Sequence, residues 1–232
     1  MSDDIAVELI AKAVADHAHF KHVARELEWL PPSHAAADAL AAAFLTGKAP
    51  PWLTAHLLGC VGDKSSYGLV REILLSAPGL LTESYAGPAL AKIAGTDAYD
   101  DLCVLLHSAP MLRSREGAAY GLAQLASHDV PSMILDAARS GKIRWHTAAA
   151  ILARIHLAIG QVLELLQSSN AEALRLGTEI VWLALHDSNA SCRGWLDQPE
   201  IAGAIRNVLT VSTFRMVPRK RRALAKWATE RV

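Results

Sequence analysis

Apolar positions recur along this chain at the three-to-four-residue spacing of one helix face, and they do so in a series of similar blocks. Ahead of the series, helices are predicted over 3–28 and 34–46, split by Pro31-Pro32 with Ser33 as the N-cap of the second. The blocks then read "PWLTAHLLGCVG" from Pro51, "ESYAGPALAKIA" from Glu83, "REGAAYGLAQLA" from Arg115, "RWHTAAAILARI" from Arg144 and "RLGTEIVWLAL" from Arg175, at offsets of 32, 32, 29 and 31. Their eighth places are Leu58, Leu90, Leu122, Ile151 and Trp182, all expected in the core. Their fourth and fifth places are small: Ala86, Ala118, Ala119, Thr147 and Ala148.

A further striped helix follows each block. The stripes are Tyr67, Val70, Ile73, Leu74 and Ala77; then Ala98, Leu102, Leu105 and Leu106; then Val130, Met133, Ile134 and Ala137. Ile159, Val162, Leu163 and Leu166 come next, and Ile201, Ile205, Val208 and Leu209 close the series. Gly62-Asp63, Gly95-Thr96-Asp97, His128-Asp129, Ser169-Asn170 and His186-Asp187 punctuate it, and Asp, Thr and Asn there make good N-caps. A last helix is expected from Pro218, with Leu224, Trp227 and Ala228 inward. Runs of alternating β-branched residues are missing, so no sheet is expected.

A helix as stripped of bulk as 115–126 makes sense in a stacked array. Small residues let neighbouring backbones approach, and the large eighth-place residue fills the gap between repeats. "SREGAAYGLAQLASHDVPSMILDAA" resembles the short bacterial HEAT-like repeats, also found in phycobilisome lyases. Arg115 matches the arginine opening their second helix, Ala118-Ala119 the paired alanines, Gly121-Leu122 through Leu125 the small-Leu-x-x-apolar segment, and Val130-Pro131 the next helix start. The resemblance covers roughly 50–211 and implies an all-α fold, an α-α superhelix of about five to six helix pairs with helical caps. The whole of 1–232 is then a single solenoid, with a cap at 1–49, repeats at 50–211 and a basic capping helix at 212–232. Three departures stand out: Pro88 should kink or delay its helix, Glu83 replaces the opening arginine, and the loop at 186–200 interrupts the array.

Charge changes the picture only at one end. The formal net charge is zero, yet from Phe214 onward Arg215, Arg219, Lys220, Arg221, Arg222, Lys226 and Arg231 face only Glu230, leaving −6 on residues 1–213. Cations in the first turn of the last helix oppose its dipole, so Arg219, Lys220, Arg221 and Arg222 are a candidate polyanion contact. Three widely spaced cysteines, Cys60, Cys103 and Cys192, suggest no disulfide framework, and neither a signal peptide nor a membrane-spanning run is visible, so a cytoplasmic location and no membrane partner are expected.

Candidate chemistry is sparse. His19 and His22, with Asp16 and Glu26 nearby, could bind a metal, but a solvated helix face is the preferred reading; neither His56 with Cys60 nor Cys103 with His107 has a partner set at zinc-site spacing. No P-loop, G-x-G-x-x-G, G-x-S-x-G or H-E-x-x-H occurs, so no cofactor, metal or catalytic residue is assigned. Second, sixth and tenth places of the blocks should face outward, which puts Trp52, His56, Lys92, Glu116, Tyr120, Gln124 and Trp145 on a partner-binding surface. The expected function is a non-enzymatic HEAT-like repeat scaffold that binds a protein partner through its concave surface. The alternative, with nucleic acid as the less favoured partner, is a repair enzyme resembling the HEAT-like alkylpurine DNA glycosylases, against which stands the lack of a visible acidic–aromatic cluster.

Overall fold

A computed structural model describes residues 2–76, 79, 81–155, 157–187, 190, 193–210 and 216–231; Ala77, Cys192, Phe214 and Arg215 of the sequence reading lie outside the described residues. Those residues are helical throughout their regular structure, with no strand among them. The chain divides into two compact units, Met1–Ser127 and His128–Val232, at the His128-Asp129 punctuation and inside the stretch read as a repeat array.

The first unit contains α1 (Ser2–Ala15), α2 (Phe20–Leu27), α3 (His34–Leu45), α4 (Pro51–Val61), α5 (Tyr67–Ser76), α6 (Thr82–Ala94), α7 (Tyr99–Ser108) and α8 (Leu112–Leu125). Local chemistry explains most of the boundaries. The Ser33 hydroxyl accepts from the Ala36 N–H at 3.2 Å and caps α3, and Pro51 opens α4 where its missing N–H costs nothing. Gly95, with φ of +57°, ends α6 in a backbone conformation that residues with a Cβ rarely adopt. One expectation fails, and half of another does: Pro88 does not delay its helix. The helix predicted over 3–28 breaks after Ala15, because the Asp16 carboxylate accepts from the Ala18 N–H at 2.9 Å and starts a short 3₁₀ turn at His17–His19. Helix α6 starts at Thr82 and runs through Pro88, which removes one i to i−4 hydrogen bond without ending it.

The packing accounts for the alanines and glycines. Helices α4, α6 and α8 pack in succession, with α5 and α7 laid against them. A Cβ added to Gly87 would lie 1.7 Å from the Gly117 carbonyl oxygen, and one on Gly121 would lie 2.6 Å from the Gly87 carbonyl oxygen. The backbones of α6 and α8 therefore touch directly. Between α4 and α6 the corresponding contact is Gly59 against Ala89, at 2.9 Å from the added carbon. Leu58, Leu90 and Leu122 are all buried in this unit, as are Ala86, Ala118 and Ala119.

Polar contacts also span one period. Lys64 pairs with Asp97, 33 residues on, at 2.6 Å. Arg71 Nε donates to Asp101 Oδ2 at 2.9 Å, and the Tyr67 hydroxyl donates to the same oxygen at 2.9 Å. Burial works against the charge on Asp101, but these two donors hold its carboxyl below the usual range.

The second unit contains α9 (Val130–Arg139), α10 (Trp145–Leu152), α11 (Ile159–Gln167), α12 (Ala171–His186), α13 (Pro199–Thr210) and α14 (Pro218–Thr229). Asn170 caps α12, its side-chain oxygen accepting from Glu172 and Ala173 at 2.8 and 3.2 Å. Helices α10 and α11 both pack on α12, where Gly177 lets the side chains of Leu165 and Leu166 come close, and α13 packs on α11 and α14. Leu224, Trp227 and Ala228 are buried, as their positions after Pro218 predict. Period-length contacts recur here: Arg154 reaches Asp187, 33 residues on, at 3.3 Å, and Gln161 reaches back to Ser132 at 3.4 Å.

Candidate binding cleft

The predicted outward residues fall into different environments. In the first unit Trp52 and His56 of α4 are half-buried in an aromatic cluster with Phe20 and Tyr85. Phe20 meets Trp52 edge-on at 4.9 Å, and the His56 ring lies 4.4 Å from that of Tyr85. Tyr85 went unnoticed in the sequence because it sits at a third place. Lys92 is exposed and pairs with Glu28 at 2.8 Å. Tyr120 is half-buried and Gln124 exposed, both on α8. Glu116 is a correction: it is 0% exposed, because α8 packs against α5, α6 and α7 and has little circumference left for solvent.

The histidine candidates on α2 and its preceding turn stand apart, and Cys60 is held as a thiol. His19 pairs with Asp16 and His22 with Glu26, each at 2.8 Å, and the broken helix leaves them as two separate exposed pairs. No group of three or more metal-ligating side chains occurs among the described residues. Burial pushes the Cys60 thiol up to about 11, which removes the thiolate a nucleophile needs. Burial, helped by the Lys92 charge and opposed by Glu28, pushes His56 down to about 4.

That shift has a sign. Between pH 6.5 and 4 the unfolded chain protonates His56 and the folded one does not, so stability is full above pH 6.5 and falls as the pH drops toward 4. The loss is expected to reach about 3 kcal/mol, and His56→Gln should flatten that part of the profile in denaturant titrations run across the window. An unchanged slope in the variant would show that His56 does not carry it.

In the second unit the structure gathers residues that the sequence left apart. Trp145 walls two neighbouring cavities, of about 610 Å³ and about 230 Å³. The larger is also lined by Arg139, Glu164, Asn170, Glu172 and Leu176; the Arg139 guanidinium lies 3.3 Å from Glu164. The smaller is lined by Trp182, Arg175, Glu179, Lys220 and Leu224.

Trp182, expected in the core at an eighth place, is only half-buried. An indole is larger than the leucine or isoleucine of the other blocks, and here it stacks on His186 at 4.5 Å and receives the Lys220 ammonium at 4.3 Å from its ring centroid. The Lys220 ammonium also pairs with the Glu179 carboxylate. Glu179, Trp145 and Trp182 thus form the acidic–aromatic cluster that the sequence did not reveal.

The four cations of the basic tail fall into different surroundings. Lys220 is committed to Glu179 and Trp182, and Arg221 donates to the Leu209 carbonyl. Lys220 is thus half-buried against α12, while Arg219, Arg221 and Arg222 are exposed. No helix of the described residues is long and apolar enough to cross a membrane. Comparison with protein-family models, with curated proteins and with solved structures found no match to this chain.

Proposed function

We propose that this chain is a HEAT-like helical-repeat scaffold, without catalytic chemistry of its own, that holds a protein partner in the cleft around Trp145 and Trp182. The observation that carries the reading is that one indole, Trp145, walls two adjoining cavities whose rims bear charges of both signs. Indoles bury a large area at small conformational cost, which makes them anchors at protein interfaces. Arg139, Arg175 and Lys220 stand against Glu164, Glu172 and Glu179, a mixture suited to polypeptide and ill-suited to a uniformly anionic backbone. The contacts at one-period spacing and the glycine-mediated approach of α4, α6 and α8 support the repeat architecture.

The test is Trp145→Ala, with a partner recovered by pull-down from the native cell. Affinity should fall by about 1–3 kcal/mol while stability changes less. Unchanged affinity together with a loss of several kcal/mol in unfolding would make Trp145 a core residue and end this reading.

One observation favours the repair-enzyme reading: Glu179 stands beside two indoles. That reading requires duplex DNA to bind with a steep salt dependence and Glu179→Gln to abolish base excision.

A further inference from the structure

We infer that the corner formed by Trp182 and Glu179 is a cation-recognition site which the chain fills with its own Lys220, and that a lysine side chain of the bound partner takes the same place. The identity of the ligand rests on the protein-binding reading above; the site itself does not.

Three features carry the argument. The ammonium lies 4.3 Å from the Trp182 ring centroid, well within the range at which an indole face attracts a cation. The Glu179 carboxylate pairs with the same ammonium, and its side chain is only 14% exposed, so the attraction is poorly screened by water. The cavity of about 230 Å³ is lined by Lys220 together with Trp145, Met216 and Val217, which leaves room for a second alkyl chain.

Lys220 is also a poor permanent occupant. It stands in the first turn of α14, where a positive charge is repelled by the helix dipole. An ammonium arriving on a partner's flexible side chain makes the same contacts with ring and carboxylate, and lets the first turn of α14 withdraw from the charge it opposes. The first turn of α14 is therefore an internal stand-in. Exchange with a partner lysine would release Lys220, so that partner binding and docking of this turn exclude one another. Physically this is competition for one site, with the two occupants differing only in what they are attached to.

The probe is n-butylammonium, which carries the lysine side chain's alkyl stem and charge, used on the full chain. Lys220→Ala should bind it at least about tenfold more tightly than the unaltered chain does, read as a thermal shift and as a change in tryptophan emission. Adding Glu179→Gln to that variant should remove the gain, and n-butanol, with a similar stem and no charge, should not bind. Equal binding by Lys220→Ala and the unaltered chain, or equal binding of n-butanol, overturns the site. Should Lys220→Ala fail to fold, hydrogen exchange on the unaltered chain decides. Amides of Arg221 and Arg222 should exchange faster in n-butylammonium chloride than in equimolar sodium chloride, and identical rates overturn the proposal. A captured partner that binds equally well with its lysines acetylated overturns the lysine assignment and leaves the cleft reading standing. Amine binding with every partner indifferent to Trp145→Ala upholds the site and overturns that reading.

Discussion

Gly87→Ala is expected to destabilise the first unit by at least about 3 kcal/mol, the upper end of the usual cost of overpacking. The added carbon would stand 1.7 Å from the Gly117 carbonyl oxygen, about half an ordinary van der Waals contact, and 3.0 Å from the Gly121 nitrogen. Relief cannot come from a rotamer change, since both neighbours are backbone. The helices α6 and α8 must move apart, and that loosens the layers around Leu90 and Leu122, both buried to 0% exposure. Gly68→Ala and Gly160→Ala are the matched controls. Both glycines are exposed and helical, and nothing lies within 4 Å of an added Cβ, so each should gain about 0.5 kcal/mol from the lower entropy of the unfolded chain. Urea titration of all three variants, followed by circular dichroism, measures the contrast. A Gly87→Ala midpoint indistinguishable from the controls would mean that α6 and α8 do not touch as described.

How much of this was legible in the sequence depended on whether the deciding interaction was local. Ser33, Pro51, Asn170 and Pro218 act within one helical turn, and the helices begin where these residues predict. The small residues at fourth and fifth places were readable because their period repeats along the chain. Asp16 was local too, but its signal was overridden in the reading by the apolar stripe running past it, and the carboxylate broke the helix all the same.

The failures concern residues whose surroundings are set by other helices. Glu116 looked outward by its place in the block, yet α8 meets three other helices and covers it. Trp182 looked like core because four other blocks carry leucine or isoleucine there. It is half-buried beside Lys220, 38 residues later, a contact that no local pattern announces. The cations of α14 did carry a readable signal, since they were unfavourable where they stood. What they answered to, a carboxylate on α12 and a carbonyl at the end of α13, was visible only in three dimensions.

Leu122→Ala is expected to cost about 2–5 kcal/mol, with the result in the upper half of that range. The transfer term alone is about 2 kcal/mol for a leucine with no solvent exposure. What raises it is that the site cannot collapse into the space left behind. Gly121, next in the chain, already sits against the Gly87 carbonyl, and Leu102 Cδ1 from α7 lies 3.0 Å from where a Gly121 Cβ would be. With α6 and α8 at contact distance, neither backbone can move inward to fill the cavity, so its lining loses dispersion contacts outright. Leu45→Ala is the counterpart on the surface: this leucine is 78% exposed, and its loss should change stability by less than about 0.5 kcal/mol. Equilibrium unfolding of the two variants separates the alternatives cleanly. A Leu122→Ala effect as small as that of Leu45→Ala would mean that the eighth place of the 115–126 block is not a core position, and the repeat register read from the sequence would have to be shifted.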